Sequence, residues 1–429
     1  MNLFIHNVFL EGRAGPLSIL IKDGRIEQVG SGEPNETGSN PSTFPRLDAR
    51  GMTALPGLVN GHTHAAMTLF RGAGDDLPLE TWLKERIWPA EARLSAEDVY
   101  WGTRLACLEM IRCGTVVFQD GYWHYHAVAR AVHDSGLRAS LGMAMVDAQG
   151  PEQGKVCKET AMEIMRDPEH HGPHIRPILF PHSIYAVTPG NLRWCARFSA
   201  DHDLGVHIHL SENRWEVEAC LRQHGMRPAF HLDALGLLHE RCILAHGVFL
   251  DDAELELIAR RGATLVTNPT SNLKLAVGGI FPYGRVASLG IPVGLGSDGA
   301  ASNNSLDLFS EMKTFALIQK HATEDPTTLP APQVLDIAQG RKAPLLGASG
   351  LLAPGQPADL LLIDTNDPSM TPPLNLASNL VYSATGHVVD TTIVAGRILM
   401  KHRIIDDEED IRREVANRAR SLLGHGTPS

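Results

Sequence analysis

The sequence predicts an α/β protein: a (β/α)8 TIM barrel with a small β-sandwich domain built from both chain termini. The first observation is that apolar segments of strand length alternate with longer segments of helical periodicity between residues 54 and 349. The second is that both chain ends consist of short apolar runs separated by turn residues, without enough apolar residues for separate cores. The third is that polar residues follow four predicted barrel strands, where TIM barrels carry their functional groups.

The chain ends, residues 1–53 and 350–429, are predicted to form the β-sandwich domain together with a C-terminal helix at 408–423. The Asp23-Gly24 pair lies between two apolar runs and indicates a hairpin, and Ala395-Gly396 indicates a second turn. Residues 30–45 are rich in Gly, Ser, Pro and Asn, which predicts an exposed loop. Strands are predicted at 4–10, 17–22, 25–29, 359–364, 391–394 and 397–400.

Residues 54–349 are predicted to form the catalytic barrel. Its strands are predicted at 54–60, 115–119, 138–145, 175–180, 206–210, 242–245, 263–267 and 292–296. Between them, apolar residues recur at helical spacing in segments that include 96–111, 188–201 and 251–261. Eight strands alternating with helices are typical of this barrel.

The composition narrows the range of possible partners and substrates. The net charge is -11 and no cluster is rich in Lys or Arg, which argues against nucleic-acid and membrane partners and favours a small-molecule substrate. The six cysteines lack C-x-x-C spacing, and no run of 18 apolar residues occurs, so we expect reduced thiols and a soluble, cytoplasmic protein. A homo-oligomer is compatible with the sequence.

Candidate metal ligands stand at the ends of predicted strands. His62 and His64 are two residues apart, so they face the same side of strand 1. His209 ends strand 5, His246 ends strand 6 and Asp298 ends strand 8. Three of these four imidazoles and the carboxylate form a donor set suited to Zn²⁺, or to Fe²⁺ or Mn²⁺, with one position left open for water.

Two further observations limit this site. His207 faces the same side of strand 5 as His209 but lies deeper, which predicts a packing or supporting role. Strand 4 and its end, residues 176–183, contain no lysine that could be modified to a carbamate bridging two metals. The sequence therefore favours one divalent ion.

Such an ion lowers the pKa of bound water from about 15.7 toward about 7 and makes hydroxide available. Asp298 can take the proton of the attacking water. Glu212 lies three residues beyond His209, where a protonated carboxyl can deliver a proton to a substrate ring nitrogen. His246 can orient the hydroxide. The alternatives are a solvated helix-start carboxylate for Glu212 and a turn residue for Asp298.

Four segments that contain these residues, 56–64, 209–212, 245–247 and 296–299, resemble the amidohydrolase superfamily. Residues 75–79, 87–91, 268–275 and 299–305 look like the group of 5'-methylthioadenosine/S-adenosylhomocysteine deaminases within it. The resemblance implies a barrel with a β-sandwich and hydrolytic deamination of adenine nucleosides. The implied metal ligands are His62, His64, His209 and Asp298.

The resemblance also implies substrate contacts. Glu212 and His246 become the acid/base and hydroxide-orienting groups, and Asp298 and Glu212 also face the substrate. Glu91 would accept hydrogen bonds from both ribose hydroxyls, and His182 would contact the purine or ribose.

One departure from the group concerns the substituent at the 5' position. Arginines that hold the amino-acid carboxylate of S-adenosylhomocysteine align with Met143 and Lys155 here. We therefore expect 5'-methylthioadenosine, 5'-deoxyadenosine or adenosine to be better substrates than S-adenosylhomocysteine. The alternatives are an s-triazine chlorohydrolase, a guanine or cytosine deaminase, and a non-catalytic barrel scaffold.

Overall fold

A computed structural model describes residues 1–32, 44–77, 81–148, 150–166, 172, 174–348 and 350–424. Most of the predicted loop at 30–45, and Pro78 and Leu79 of the segment 75–79, lie outside the described residues. The described strands are β1 (Leu3–Leu10), β2 (Leu17–Lys22), β3 (Arg25–Gly30), β4 (Arg46–Asp48), β5 (Met52–Pro56), β6 (Leu58–Thr63), β7 (Thr115–Tyr122), β8 (Arg138–Met145), β9 (Ile175–Pro181), β10 (Gly205–Leu210), β11 (Cys242–His246), β12 (Thr264–Thr267), β13 (Val293–Leu295), β14 (Leu360–Asp364), β15 (Val389–Val394) and β16 (Arg397–Met400).

Strands β6 to β13 form a parallel barrel in which sequence neighbours pair in order. Hydrogen bonds also join the ends of the first and last strands. The Asp298 amide donates to the His62 carbonyl at 3.0 Å, and the Asn60 side chain donates to Ser297 Oγ at 2.7 Å. The predicted (β/α)8 barrel is confirmed, and the carboxyl ends of its strands form one rim, the barrel mouth.

Helices follow most barrel strands and cover the outer face of the barrel. Ser95 and Asp251 each form a capping box that fixes where a helix begins. The described α-helices are Trp88–Glu91, Ala96–Arg112, Tyr125–Ser135, Pro151–Arg166, Pro189–His202, Arg214–His224, Pro228–Ala234, Asp252–Arg261, Pro269–Lys274, Tyr283–Ser288, Ala300–Asn303, Leu308–Thr323, Ala331–Ala338, Leu376–Tyr382 and Glu408–Leu423. Within the described residues, none of the helices has the length and apolar character required to span a membrane.

Both chain ends contribute to the second sheet, whose order is β16-β15-β14-β5-β1-β2-β3 with β4 beside β1. The predicted hairpin is present: Asp23 and Gly24 have φ values of 51° and 77°, the left-handed conformation of a tight two-residue turn. One face of this sheet buries a core of aliphatic residues from both termini, including Ile19 and Leu360. The shared core explains why neither terminus needs enough apolar residues for a core of its own.

The predicted strand 54–60 is wrong as a single element, because the chain leaves one sheet and enters the other at Gly57. The Gly57 amide donates to the Asp359 carbonyl at 3.1 Å, whereas the Leu58 amide donates to Gly114 at 2.9 Å in the barrel. A Cβ at Gly57 would lie 2.3 Å from the methyl groups of Val116, so only glycine permits this close crossing.

The C-terminal helix Glu408–Leu423 packs against the barrel helix Ala96–Arg112. Arg418 Nη1 lies 2.9 Å from Asp98, and Arg112 Nη1 lies 2.6 Å from Glu408. This helix therefore contributes to the outer layer of the barrel. The domain division at 53/54 and 349/350 stays a prediction.

Candidate active site

His64 lies just beyond β6 at the barrel mouth and is buried. Its Nδ1 is 2.8 Å from the carbonyl oxygen of Gly121. A carbonyl can only accept, so Nδ1 carries the proton and Nε2 presents a lone pair to the barrel interior. The backbone of β7 thus fixes both the orientation and the tautomer of this imidazole.

His209, near the end of β10, is held in the same way. Its Nδ1 donates to the carbonyl oxygen of His182 at 2.6 Å, and its Nε2 lies 3.2 Å from Nε2 of His64. Two lone pairs facing each other at this distance repel. A cation between the two nitrogens removes the repulsion, so the tautomers fit a shared metal ion.

Asp298 completes this arrangement from the end of β13. Its Oδ2 accepts hydrogen bonds from the hydroxyls of Ser271 (2.6 Å) and Ser302 (2.8 Å). Its Oδ1 lies 3.5 Å from Nε2 of His62 and 3.6 Å from Nε2 of His64. Burial alone would raise the pKa of this carboxyl, but the neighbouring imidazoles hold it well below its usual value.

His62 is fully buried, and its Nδ1 lies 3.0 Å from Nε2 of His207. Its Nε2 has no hydrogen-bond partner among the described residues. Burial lowers the pKa of His62 to about 4, so this imidazole is neutral and can coordinate through Nε2. His207 lies behind His62, deeper in the barrel, where the sequence predicts a supporting role.

His246 ends β11, close to the same group. Its Nδ1 lies 2.8 Å from Oδ1 of Asn272, which can only accept, so Nε2 carries the lone pair. Ligand atoms of His62, His64 and His209 lie within 4.8 Å of one another, as do those of His62, His246 and Asp298. We call these five residues the mouth cluster. Its nitrogen and oxygen donors suit a divalent metal ion.

Glu212 follows β10 and is buried beside the mouth cluster. Burial raises the pKa of its carboxyl, and the Asp298 charge adds to this shift. The backbone amides of Ser211 and Glu212 both donate at 2.9 Å to the carboxylate of Glu216, which fixes the turn. A carboxyl with a raised pKa in this position can hold a proton for transfer.

Glu91 ends the helix Trp88–Glu91, and Tyr122 Oη donates to its Oε1 at 2.8 Å. The ring centroid of Tyr122 is 6.4 Å from that of His64. The structure therefore brings Glu91 to the mouth cluster through Tyr122, a residue that the sequence analysis missed. The predicted strand stopped at 119, whereas β7 continues to Tyr122.

His182 stacks on His209 with a ring-centroid distance of 4.4 Å. The ring centroid of Tyr185 lies 6.2 Å from that of His182 and 5.2 Å from that of Trp215. The structure therefore places His182 at the mouth, as the sequence predicts. The aromatic pair Tyr185 and Trp215 was not foreseen.

The sequence analysis missed three other side chains at the mouth, all of which form hydrogen bonds with the mouth cluster. Ser271 and Ser302 donate to Asp298, and Asn272 accepts from His246. All three lie in the segments 268–275 and 299–305, which the sequence analysis singled out without assigning roles. The resemblance of those two segments to the deaminase group was the sequence signal that could have pointed to these side chains.

Comparison with known proteins decides the family. The family model of the amidohydrolases matches residues 53–399, most of the chain. The chain belongs to the amidohydrolase family.

Relatives of this amidohydrolase include deaminases. This chain is 48% identical to a 5'-deoxyadenosine deaminase of Methanoregula boonei over 386 residues, which cover 89% of this chain and 87% of that protein. It is 42% identical to a 5-methylthioadenosine/S-adenosylhomocysteine deaminase of Desulforudis audaxviator over 437 residues, 99% of each chain.

Solved structures agree with the fold. The crystal structure of an adenosine deaminase from Xanthomonas campestris with bound zinc matches with a TM-score of 0.88 at 32% identity and covers 98% of this chain and 99% of that one. Atrazine chlorohydrolase from Arthrobacter aurescens matches with a TM-score of 0.84 at 21% identity, covering 98% and 100%. The second likeness shows the fold alone.

Met143 of this amidohydrolase does not face the mouth. The neighbouring Gly142 faces the barrel interior, because a Cβ there would lie 2.7 Å from the Cβ of Phe180. Side chains alternate along a strand, so Met143 faces outward, where it lines a cavity with Cys157. The position at which the sequence analysis aligned an arginine with Met143 therefore lies on the outer side of β8.

Proposed function

We propose that this amidohydrolase catalyses the hydrolytic deamination of adenine nucleosides to the inosine derivative and ammonia. The observation that carries the proposal is the placement of two carboxylates at one mouth. Glu212 lies beside the mouth cluster, and Glu91 is tied to it through Tyr122. The Glu212 carboxyl can give a proton to the base, and the Glu91 carboxylate can bind the sugar. The names of the relatives in Methanoregula boonei and Desulforudis audaxviator support this substrate class.

The metal ligands in this proposal are His62, His64, His209 and Asp298. The lone pairs on the imidazole Nε2 atoms and on Asp298 Oδ1 converge, and nitrogen/oxygen sets of this kind favour zinc. Zinc is bound in the Xanthomonas campestris adenosine deaminase structure, which supports the choice over iron or manganese. When bound, such an ion lowers the pKa of water and provides a nucleophile at neutral pH.

Three residues would handle the protons. The carboxylate of Asp298 accepts a proton from the water that attacks C6 of the adenine ring. Glu212 donates its proton to a ring nitrogen, which makes C6 more electrophilic. His246, held by Asn272, presents Nε2 toward the attacking oxygen and orients it. Asp298 then returns its proton to the amino nitrogen, and the proton of the new C6 hydroxyl passes to the Glu212 carboxylate. The C6–N bond breaks, the C6 carbonyl forms and ammonia leaves.

Glu91 would bind the ribose. An ionised carboxylate offers only acceptors, so it can take hydrogen bonds from the two adjacent hydroxyls of a riboside. Burial raises the pKa of Glu91, while the hydrogen bond from Tyr122 opposes that shift and favours the charged form. His182, stacked on His209, would contact the purine or ribose.

The preference among 5'-substituents stays a prediction. With Met143 facing outward, the expectation that S-adenosylhomocysteine is the poorer substrate rests on Lys155, which is exposed on the helix Pro151–Arg166. A lysine offers a point charge rather than the bidentate grip of arginine on a carboxylate.

A substrate panel tests the proposal. Purified protein loaded with zinc is given adenosine, 5'-deoxyadenosine, 5'-methylthioadenosine, S-adenosylhomocysteine and free adenine. Guanine, cytosine and a chlorinated s-triazine are tested beside them, and the release of ammonia or chloride is measured. We expect turnover of the nucleosides and little of adenine, because only the nucleosides engage Glu91. Turnover of an s-triazine, guanine or cytosine without turnover of any adenine nucleoside would contradict the proposal.

A further inference from the structure

Three segments at the barrel mouth meet at one amine. Lys274 Nζ donates to Asp75 Oδ1 at 2.7 Å, to the carbonyl of Ala301 at 3.3 Å and to Asn304 Oδ1. Asn304 Nδ2 in turn donates to Asp75 Oδ2 at 2.8 Å. We call Asp75, Lys274 and Asn304 the loop bridge. Its members belong to the segments that follow the first, seventh and eighth barrel strands.

The loop bridge differs from an ordinary surface ion pair. The side chains of Lys274 and Asp75 are only 23% and 33% exposed, and both carboxylate oxygens are engaged. The hydrogen bond from Lys274 lowers the pKa of Asp75. A pair with several fixed partners holds its geometry better than an isolated exposed pair.

The segment that carries Asp75 packs directly on the segment that leads to Glu91. Gly74 has a φ of 109°, and a Cβ on it would lie 2.8 Å from Cγ of Arg86. Arg86 lies in the helical turn Trp82–Ile87, which continues into the helix Trp88–Glu91. Gly74, next to Asp75, therefore packs closely against the side chain of Arg86, five residues before Glu91.

The other two members of the loop bridge are attached to the mouth cluster. Lys274 ends the helix Pro269–Lys274, which carries Ser271, a hydrogen-bond donor to Asp298. Asn304 follows the short helix Ala300–Asn303, which carries Ser302, the second donor to Asp298. The loop bridge therefore connects the segment before Glu91 with the two segments that hold the Asp298 carboxylate.

We infer that the loop bridge is a positioning device for nucleoside specificity: Lys274 and Asn304 fix Asp75, and through it set the distance between Glu91 and the mouth cluster. The inference rests on the proposed function, in which Glu91 binds the ribose. In this inference the three residues act through Glu91 and not by contact with the substrate. Their effect depends on the ribose hydroxyls, because Glu91 is the group that they position.

The first test compares wild type and Lys274→Met on two substrates. Adenosine and 2',3'-dideoxyadenosine differ only in the two hydroxyls that Glu91 binds. For Lys274→Met we expect kcat/KM for adenosine to fall about 10- to 100-fold, mainly through KM, as expected for a binding group displaced from its place. The dideoxy substrate should lose less than about 2-fold in kcat/KM, since it makes no use of Glu91.

A matched control is Arg261→Met, which breaks the ion pair between Arg261 Nε and Asp233 at 2.6 Å outside the mouth. It should leave both substrates unchanged. Lys274→Arg, which keeps the charge and can reach both carboxylate oxygens, should restore most of the adenosine activity. Equal losses on both substrates in Lys274→Met would overturn the inference, because the loop bridge would then act on the mouth cluster as a whole.

The second test does not use turnover. Hydrogen–deuterium exchange is compared for backbone amides of residues 82–91 in wild type, Lys274→Met and Arg261→Met. Faster exchange in Lys274→Met alone supports the inference, and unchanged exchange overturns it. If wild type deaminates none of the nucleosides, the proposed function fails, while the exchange experiment still decides whether the loop bridge holds the segment before Glu91.

Discussion

The Nε2 atoms of His64 and His209 lie 3.2 Å apart, and the Nδ1 of each ring donates to a backbone carbonyl. The carbonyls belong to Gly121 and His182, which lie on or next to neighbouring barrel strands. Hydrogen bonds from the backbone therefore impose the tautomer in which both Nε2 atoms carry lone pairs. This arrangement is prepared for a cation and is unfavourable without one.

Removing the metal should abolish activity and lower stability. Binding that favours the folded state contributes about 2.7 kcal/mol when the free ion is at 100 times its Kd. Chelated protein should unfold at lower temperature, and zinc should restore both properties. His64→Ala should reduce the metal content measured by mass spectrometry, whereas His402→Ala, at an exposed histidine, should not. Full activity in verified metal-free protein would contradict the assignment.

Glu212→Gln should lower kcat about 10²- to 10⁴-fold, the usual contribution of a positioned acid or base. The amide keeps the size of the side chain but cannot give up a proton as the carboxyl does. Metal content should stay unchanged. The control is Glu218→Gln, at an exposed glutamate on the helix Arg214–His224, which follows Glu212 in the chain. A kcat within about 2-fold of wild type would exclude Glu212 as the proton donor.

Glu91→Gln should selectively weaken the binding of substrates that carry the two ribose hydroxyls. Loss of a charged acceptor of two hydroxyl hydrogen bonds costs about 1.5 to 3 kcal/mol, which raises KM for adenosine about 10- to 100-fold. The KM for 2',3'-dideoxyadenosine should change little. Tyr122→Phe, which removes only the donor to Glu91, should have a smaller effect in the same direction. Equal losses on both substrates would favour a substrate without a ribose.

Ser271→Ala and Ser302→Ala should each weaken metal binding. Their hydroxyls hold Oδ2 of Asp298, and removing a group that orients a ligand typically costs 10- to 100-fold, roughly, in metal affinity. Competition with a chelator of known affinity measures the change. Ser288→Ala, at an exposed serine, is the control. Unchanged affinity in both variants would show that Asp298 keeps its orientation without them.

Glu311 should make stability depend on pH. Its carboxyl is buried, accepts hydrogen bonds from Asn303 (2.7 Å) and the Thr270 amide (3.0 Å), and burial raises its pKa from 4.5 to about 7. The folded state therefore binds a proton more tightly than the unfolded state. Stability is lost as the pH rises from 4.5 to about 7 and is constant above it.

Glu311→Gln removes this dependence, because the amide is neutral at every pH. The free energies of unfolding of wild type and variant should be similar at pH 5. At pH 8 the variant should be the more stable, by up to about 3 kcal/mol. Urea unfolding at both pH values measures the difference between the two proteins, which cancels the titration of other groups. A difference that does not change with pH would contradict the raised pKa.

Local sequence patterns predicted much of the fold. The hairpin at Asp23-Gly24 and the helix Glu408–Leu423 are found where the turn residues and the apolar spacing place them. His62 and His64 converge because residues two apart on a strand face the same side. The prediction of a single strand over 54–60 was wrong, because the apolar residues continue through Gly57 although the chain changes sheets there.

The sequence by itself determined the barrel, the sandwich shared by the termini and the strand ends at which His62, His209 and Asp298 stand. These follow from short-range periodicity, which fixes the face of an element on which a residue lies. Only the tertiary structure decided that Met143 faces outward, that Tyr122 reaches Glu91 and that Lys274 binds Asp75. Such contacts join residues far apart in sequence, and they depend on loop conformations that no local pattern specifies.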